Sequence, residues 1–371
     1  MTGETLVKRA QEAFARRDWQ DAHDLWKDAD TQKPLAPSDL EGFAQAATWL
    51  ARGGEVIEAR ERAYAGYTAE GDNRRAAAIA LELVGDHGRL LNEATASGWF
   101  SRAIRLLAEV PEGIEHGYLA RWKSAIALGN GDFEEAERQA SLALEIGTRA
   151  GDPNVQALGL MQKGSALIYQ GKVREGMSCL DEAMVAVAGG ELDVLTTSVI
   201  YCNAISTCRD LTDYRRAGEW TDAAKRWCSR QSLSGFSGSC RVYRAEIIRL
   251  RGAFSEAEDE ARTAVDAVKA FDLTVAAGGL YEIGEVKLRL GELDEAEDYF
   301  RRANEWGKDP QPGLALLWLV QGKADAAAAS VRRALIEAPK DRLARARLLP
   351  AQVEIATASG DLGTAARAAA R

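Results

Sequence analysis

Side chains that commonly bind metals are few and scattered in this sequence. It has five cysteines, an odd number, and no two of them form a C-x-x-C motif. The three histidines, His23, His87 and His116, are far apart in the sequence, and none lies near a cysteine. Because a zinc site needs closely spaced cysteine and histidine ligands, we predict no metal site and no cofactor.

The sequence also contains no recognisable catalytic motif. Neither a P-loop, a G-x-S-x-G turn nor an H-E-x-x-H helix is present. The string SGFSGS at residues 234–239 resembles a nucleophile turn, but its spacing differs and no histidine is near it, which favours a plain loop. No catalytic residue is predicted, and we expect the protein not to be an enzyme.

The cysteines are better explained by packing than by chemistry. Cys228 and Cys240 bracket the SGFSGS loop and could form a reversible disulfide across it. Two packed thiols at neighbouring helix ends are the favoured interpretation in a reducing compartment. Cys202 and Cys208 lie on one predicted helix and are expected to fill core positions.

The net charge and the hydropathy pattern of the sequence limit the kinds of partner that this protein can bind. The formal net charge is -9, which argues against direct nucleic-acid binding because phosphate contacts need clustered basic residues. The basic segment 332–347 is interpreted as a solvated helix face. The longest apolar runs, such as Leu314 to Val320, are too short to cross a membrane. The N-terminus lacks the apolar core of a signal peptide, so the expected location is the cytoplasm.

The most informative pattern is a recurring turn followed by a helix. Examples are GDFEEAERQASLA, GAFSEAEDEARTA and GELDEAEDYFRRA, which begin at Gly131, Gly252 and Gly291. Ten candidate turns occur, on average about 38 residues apart, which is typical of repeat arrays. The predicted turn residues are Arg17, Gly54, Gly98, Gly131, Gly171, Thr212, Gly252, Gly291, Gly322 and Gly360.

A small residue five positions after each turn predicts close helix packing. Positions five and twelve lie on one helical face, since seven residues make about two turns. The residues at position five are Ala22, Ala59, Ala103, Ala136, Gly176, Ala217, Ala257, Ala296, Ala327 and Ala365. The pattern predicts an all-α fold: a right-handed superhelical solenoid of about ten tetratricopeptide-like helix pairs. We expect one unit over residues 1–371, with softer breaks near 110–117, 229–239 and 308–313.

Several stretches resemble a particular family. LDVLTTSVIYCNAISTCRDLTDYRRAGEWTDAAKRWCSRQ from Leu192, CRVYRAEIIRLRGAFSEAEDEA from Cys240 and GKDPQPGLALLWLVQGKADAAAASVRRAL from Gly307 are similar to the tetratricopeptide region of LuxR-type transcriptional regulators from high-GC bacteria. The resemblance implies a sensor or interaction region. In that family a helix-turn-helix follows further repeats, and this chain contains no such segment, so we expect no direct DNA binding by it.

The end of the sequence suggests an incomplete array. The tenth unit opens at Gly360 and stops eleven residues later, at Arg371. No polar capping helix follows, although solenoid ends normally have one. We therefore expect the last helix to be an open edge that frays, pairs with another copy or packs on further repeats, of which the last is favoured.

The concave face of a solenoid is its usual binding surface, and it is expected on the first helix of each pair. Polar or aromatic residues that interrupt the apolar pattern there are the candidate binding residues: Tyr118, Arg121, Tyr201, Asn203, Arg241, Arg244, Tyr281, Glu282 and Glu285. We expect a non-catalytic scaffold whose partner is a protein, a peptide or a small-molecule signal. The alternative is a small-molecule-binding accessory protein or cryptic enzyme with a pocket inside the superhelix. Self-association is left open.

Overall fold

A computed structural model describes residues 2–231, 238–338 and 341–370, except for the side chains of residues 238 and 239. Within these ranges the chain forms twenty α-helices and no strand, so the predicted all-α solenoid of ten helix pairs is confirmed. The helices are α1 Gly3–Ala15, α2 Trp19–Gln32, α3 Pro37–Trp49, α4 Gly53–Glu70, α5 Asn73–Arg89, α6 Glu93–Leu107, α7 Ile114–Gly129, α8 Phe133–Ala150, α9 Pro153–Tyr169, α10 Val173–Gly189, α11 Val194–Asp210, α12 Tyr214–Arg230, α13 Gly238–Leu250, α14 Phe254–Val268, α15 Leu273–Leu290, α16 Leu293–Glu305, α17 Gly313–Val320, α18 Ala324–Glu337, α19 Arg342–Ala358 and α20 Leu362–Ala369.

Each pair is joined by a tight turn whose central residue adopts a left-handed conformation. Eight of the ten predicted turn residues have this positive φ, among them Gly131 at 73° and Thr212 at 59°. An aspartate often follows and caps the second helix; Asp132, for example, accepts a hydrogen bond from the backbone N–H of Glu135 at 3.2 Å. The turn and the cap together explain why the second helix begins where it does.

The predicted turns at Gly54 and Gly98 are wrong. Gly54 lies in the first turn of α4, and Gly98 lies inside α6. The turns are made by Ala51, with φ 61°, and Leu91, with φ 59°. Neither Ala51 nor Leu91 is a glycine, so the glycine pattern does not identify these turns. A single non-glycine residue can occupy the left-handed region when the surrounding packing outweighs its steric cost.

Small residues allow the two helices of a pair to approach closely. All ten residues predicted at position five are buried, and Ala136 is fully inaccessible. Ala59 and Ala103 lie eight and twelve positions after the observed turns at Ala51 and Leu91. The Ser124 hydroxyl of α7 donates a hydrogen bond to the Ala136 carbonyl of α8 at 2.7 Å. A Cβ atom added to Gly176 would lie 2.5 Å from the carbonyl oxygen of Gly164, so α9 and α10 are in backbone contact there.

The odd-numbered helices form the inner layer of the superhelix. From α5 to α19, each odd-numbered helix contacts the next odd-numbered one, as α13 does with α15. In the described part of the chain no comparable contact joins successive even-numbered helices. Since helices on the inside of a curved array lie closer together than those outside, the odd-numbered helices line the concave face. We call this face the inner surface.

Successive turns of the superhelix touch each other. The Trp19 indole at the start of α2 donates to the Gln231 carbonyl just after α12 at 3.2 Å. A Cβ atom added to Gly53 of the second pair would lie 2.6 Å from that of Phe271, which follows the seventh pair. Leu91 of the third pair lies against Gly307, which follows the eighth pair. The offset is five pairs each time, so about five pairs complete one superhelical turn.

Of the softer breaks, residues 110–113 and 308–312 are loops before α7 and α17. Residues 232–237, with most of the SGFSGS string, lie outside the described residues. A single unit over residues 1–371 stays a prediction.

Candidate functional site

The predicted binding residues lie on four inner helices, α7, α11, α13 and α15, but differ in burial. Tyr118 and Arg121 on α7, Asn203 on α11, and Arg241 and Arg244 on α13 are half-buried. Tyr201, Tyr281, Glu282 and Glu285 are buried. Their assignment to a binding site stays a prediction. The residues on α11, α13 and α15 form three groups by their contacts, and Tyr118 and Arg121 of α7 lie apart from them.

The first group is held by packing within the array. The Tyr201 ring lies 5.9 Å from that of Trp227 on α12. The Asn203 amide oxygen accepts a hydrogen bond from the Ser165 hydroxyl of α9 at 3.3 Å. Asn203 is therefore fixed at the junction of two inner helices, with its amide N–H groups still available as donors.

The second group faces the outer helix of its own pair. The guanidinium groups of Arg241 and Arg244 lie 3.4 and 3.8 Å from the same carboxylate oxygen of Glu260 on α14. Two cations therefore share one half-buried carboxylate at this corner of the seventh pair.

The third group belongs to a line of buried ion pairs that runs across the inner helices. Arg249 Nε of α13 donates to Glu282 Oε2 of α15 at 2.9 Å, and its Nη1 lies 3.4 Å from Glu285. Arg209 Nε of α11 lies 3.6 Å from Glu246 of α13. We call the set the ionic ladder; its members are Arg209, Asp210, Glu246, Arg249, Glu282 and Glu285.

Burial makes the ionic ladder sensitive to charge. Desolvation by burial raises the pKa of Glu246, and so does the nearby Glu282 carboxylate. The pKa is about 7, although Arg209 and Arg249 oppose this shift. The pKa of Arg249 is raised because its two glutamate partners outweigh the effect of burial. The arginines of the ladder therefore stay charged, and Glu246 changes its protonation state near neutral pH.

Four members of the ladder, Arg209, Asp210, Glu246 and Arg249, were not predicted from the sequence. A signal for two of them is present: Arg209 and Arg249 each precede the turn residue of their pair by three positions. A charged residue repeated at one position of an otherwise apolar inner helix indicates a shared environment. Glu246 and Glu285 likewise each precede the turn residue of their pair by six positions, but this spacing does not show which charges meet.

The basic segment 332–347 is not solely a solvated face. Arg347 of α19 lies 4.0 Å from Asp210 of the ladder. The Lys308 ammonium lies 5.6 Å from the Tyr281 ring centroid, and burial together with Arg347 lowers its pKa. Since α19 also contacts α11, the tenth pair adds positive charge to the inner surface beside the ladder.

A separate cationic cluster lies at the fourth pair. The guanidinium carbon of Arg121 lies 4.4 Å from the Trp122 ring centroid, and its Nε is buried without a hydrogen-bond partner. Burial and the neighbouring Arg89 lower the pKa of Arg121 to about 10. Arg121 is thus a desolvated cation that remains charged at neutral pH.

The cysteines pack as thiols. All five are free, and Cys240 Sγ lies 3.9 Å from Cys202 Sγ. Burial raises the pKa of Cys208 and of Cys228 to about 11. These thiols are therefore almost fully protonated at neutral pH and are weak nucleophiles.

Neither a metal-binding cluster nor a membrane-spanning helix is present among the described residues. No cluster of three histidine, cysteine or acidic side chains in the ranges given above has a geometry that could hold a metal ion. No helix among the described residues is both long and apolar enough to span a membrane.

Comparison with solved structures supports the fold. The crystal structure of a Rap protein complexed with competence and sporulation factor matches with a TM-score of 0.62 at 12% identity, over 90% of this chain and 96% of that one. The crystal structure of NprR in complex with its cognate peptide NprX matches with a TM-score of 0.56 at 13% identity, over 78% and 86%. The apo form of RapI matches with a TM-score of 0.50 at 9% identity, over 99% and 95%.

No family model and no curated protein sequence matches the chain. At identities this low, the structural likeness shows a common tetratricopeptide-like fold and nothing finer.

Proposed function

We propose that this chain is a non-catalytic scaffold that receives a peptide signal on its inner surface. The observation that carries the proposal is the chemistry of that surface. Half-buried Tyr118, Arg121 and Asn203 lie on the inner helices together with the ionic ladder. A purely structural array needs apolar contacts there, whereas a peptide offers charged groups and backbone amides that such side chains can bind.

The structural neighbours support a peptide rather than another class of ligand. One matching structure is described as NprR bound to its cognate peptide, and that protein shares most of this fold. Concave helical arrays bind extended chains well, since successive repeats present side chains at regular intervals along a groove.

We further propose that the scaffold is the sensor region of a LuxR-like transcriptional regulator that acts in the cytoplasm. The resemblance of residues 192–335 to that family supports this assignment. Binding of DNA is not assigned to the described helices, because the inner surface carries carboxylates as well as arginines and the chain has a net charge of -9.

Peptide binding is tested with a pool of random hexapeptides incubated with the purified chain and analysed by native mass spectrometry. We expect retention of a subset of peptides. Asn203→Leu should weaken their binding about tenfold, because it removes hydrogen-bond donors from the inner surface. The matched control is Asn304→Leu, on the exposed face of the outer helix α16, which should leave binding unchanged.

Two outcomes contradict the proposal. One is equal loss of binding in both variants while their melting temperatures stay at the wild-type value. The other is failure of every peptide to bind while a small metabolite is retained, which would favour a small-molecule pocket inside the superhelix.

A further inference from the structure

Arg121 occupies an unusual position for a cation. Its side chain is half-buried, its guanidinium stacks on Trp122, and its Nε has no hydrogen-bond partner. In the described part of the chain no carboxylate oxygen lies within 4.0 Å of its nitrogen atoms, unlike those of Arg60, Arg209 and Arg249. Because a desolvated charge without a counter-ion destabilises a folded protein, an arginine in this position needs an explanation.

The nearby carboxylates are already paired with other arginines. Arg60 of α4 lies 2.7 Å from Glu82 and also pairs with Asp86 of α5. Arg89 pairs with the other oxygen of Asp86. The carboxylates of Glu82 and Asp86 therefore balance the charges of Arg60 and Arg89. Arg121 adds a positive charge that no residue of this cluster balances.

Water reaches this part of the inner surface. The Glu82 side chain is 45% exposed, yet desolvation by the surrounding protein raises its pKa. The Arg89 side chain of the same cluster is 38% exposed, and Tyr118 and Arg121 are half-buried rather than fully buried. A ligand can therefore reach the cluster and would displace water from it.

We infer that Arg121 binds a carboxylate group of the ligand, an inference that rests on the proposed peptide-binding function. The planar guanidinium fork matches a carboxylate in two parallel hydrogen bonds, and stacking on Trp122 holds its plane. Tyr118 lies one helical turn before it, and burial raises the pKa of its hydroxyl, which therefore stays a hydrogen-bond donor. The carboxylate comes from the C-terminus of a peptide or from an acidic side chain.

The two sources are distinguished with three hexapeptide pools. The first contains no Asp or Glu and ends in a free carboxylate, and the second is the same pool with C-terminal amides. The third is amidated and carries Glu at one varied position. The wild-type chain retains the first pool if the C-terminal carboxylate is bound and the third pool if a side chain is bound; the second should be retained at least tenfold less than the better of them.

Variants identify the residue responsible. Arg121→Gln should weaken binding of the retained acidic peptides roughly 10- to 100-fold, as expected for the loss of a charge-assisted pair. Arg121→Lys should recover part of that loss, because it keeps the charge but not the fork. Arg105→Gln, which removes one exposed positive charge from the outer helix α6, is the matched control and should bind normally.

A measurement without ligand separates a binding role from a structural one. Arg121→Met removes an unbalanced desolvated charge but keeps an apolar stem against Trp122, so it should raise the melting temperature by about 2 °C. A fall in melting temperature would instead show that Arg121 stabilises the fold, and it would overturn the inference.

The outcomes also separate this inference from the proposed function. If the amidated, acid-free pool binds as tightly as the others and Arg121→Gln binds normally, peptide binding stands and the carboxylate site at Arg121 is refuted. If no pool binds the wild-type chain, both the peptide-binding function and the inference fail.

Discussion

Arg249 Nε of α13 donates to Glu282 Oε2 of α15 at 2.9 Å, and both side chains are almost completely buried. This ion pair joins two consecutive inner helices, as the pair of Arg209 with Glu246 joins α11 and α13. Because neither charge can be rehydrated without opening the array, the relative position of these two helices depends on the pair.

Removal of Arg249 should strongly destabilise the protein. Arg249→Met leaves Glu282 buried without its cation, while Glu285 keeps only its pair with Arg289, and the cost of an uncompensated buried charge is about 3–5 kcal/mol. Urea unfolding of the variant and the wild type measures it. Arg215→Gln, which breaks an exposed pair with Glu219, is the control and should change stability by less than about 0.5 kcal/mol. A loss below about 1 kcal/mol for Arg249→Met would contradict the account.

Glu246 should make stability fall as the pH rises from about 4.5 to about 7. Its pKa is raised from 4.5 to about 7 in the folded state, so the folded protein binds its proton more tightly than the unfolded chain. This contribution to stability is fully present below pH 4.5 and is lost as the pH approaches 7. Measured at pH 5, 6, 7 and 8, the free energy of unfolding of the wild type should fall relative to that of Glu246→Gln as the pH rises. A difference that stays constant with pH would refute the raised pKa.

The close contact between α7 and α8 should not tolerate a larger side chain. Ala136 is fully buried, and its carbonyl accepts the Ser124 hydroxyl at 2.7 Å. Ala136→Leu should therefore cost about 1–3 kcal/mol through overpacking. Ala150→Leu, at the exposed end of the same helix, should have the same melting temperature as the wild type. Equal melting temperatures for both variants would mean that the packing register is wrong.

The buried thiols should react slowly. Because burial raises the pKa of Cys208 and of Cys228 to about 11, little thiolate is present at pH 7.5. Mass spectrometry after brief iodoacetamide treatment should show little modification of either residue in the folded protein and complete modification in urea. Rapid modification in the absence of urea would show that these thiols are accessible and activated.

Much of the fold could be predicted because each repeat encodes its own turn and contact face. Gly131 tolerates a left-handed turn, and Ala136 allows close packing, so both residue types follow from local geometry. The turns at Ala51 and Leu91 could not be read in this way, because tertiary packing imposes the left-handed conformation on residues that do not favour it.

The candidate site could be predicted only in part for a related reason. Periodicity identified the helices that carry Glu282 and Arg121, but not which charges meet. The partner of Glu282 is Arg249, thirty-three positions earlier on another helix. The contact depends on how tightly successive inner helices approach, and that curvature is a property of the whole array rather than of one repeat.

The central claim, that a peptide binds the inner surface, is tested most directly by amide hydrogen exchange with and without a peptide selected from the random pool. Binding should slow exchange in the inner helices α7, α11 and α13, since the ligand excludes water from them and restricts their local opening. The paired outer helices α8, α12 and α14 should change less. Slowed exchange confined to the outer helices, with the inner helices unchanged, would contradict the account.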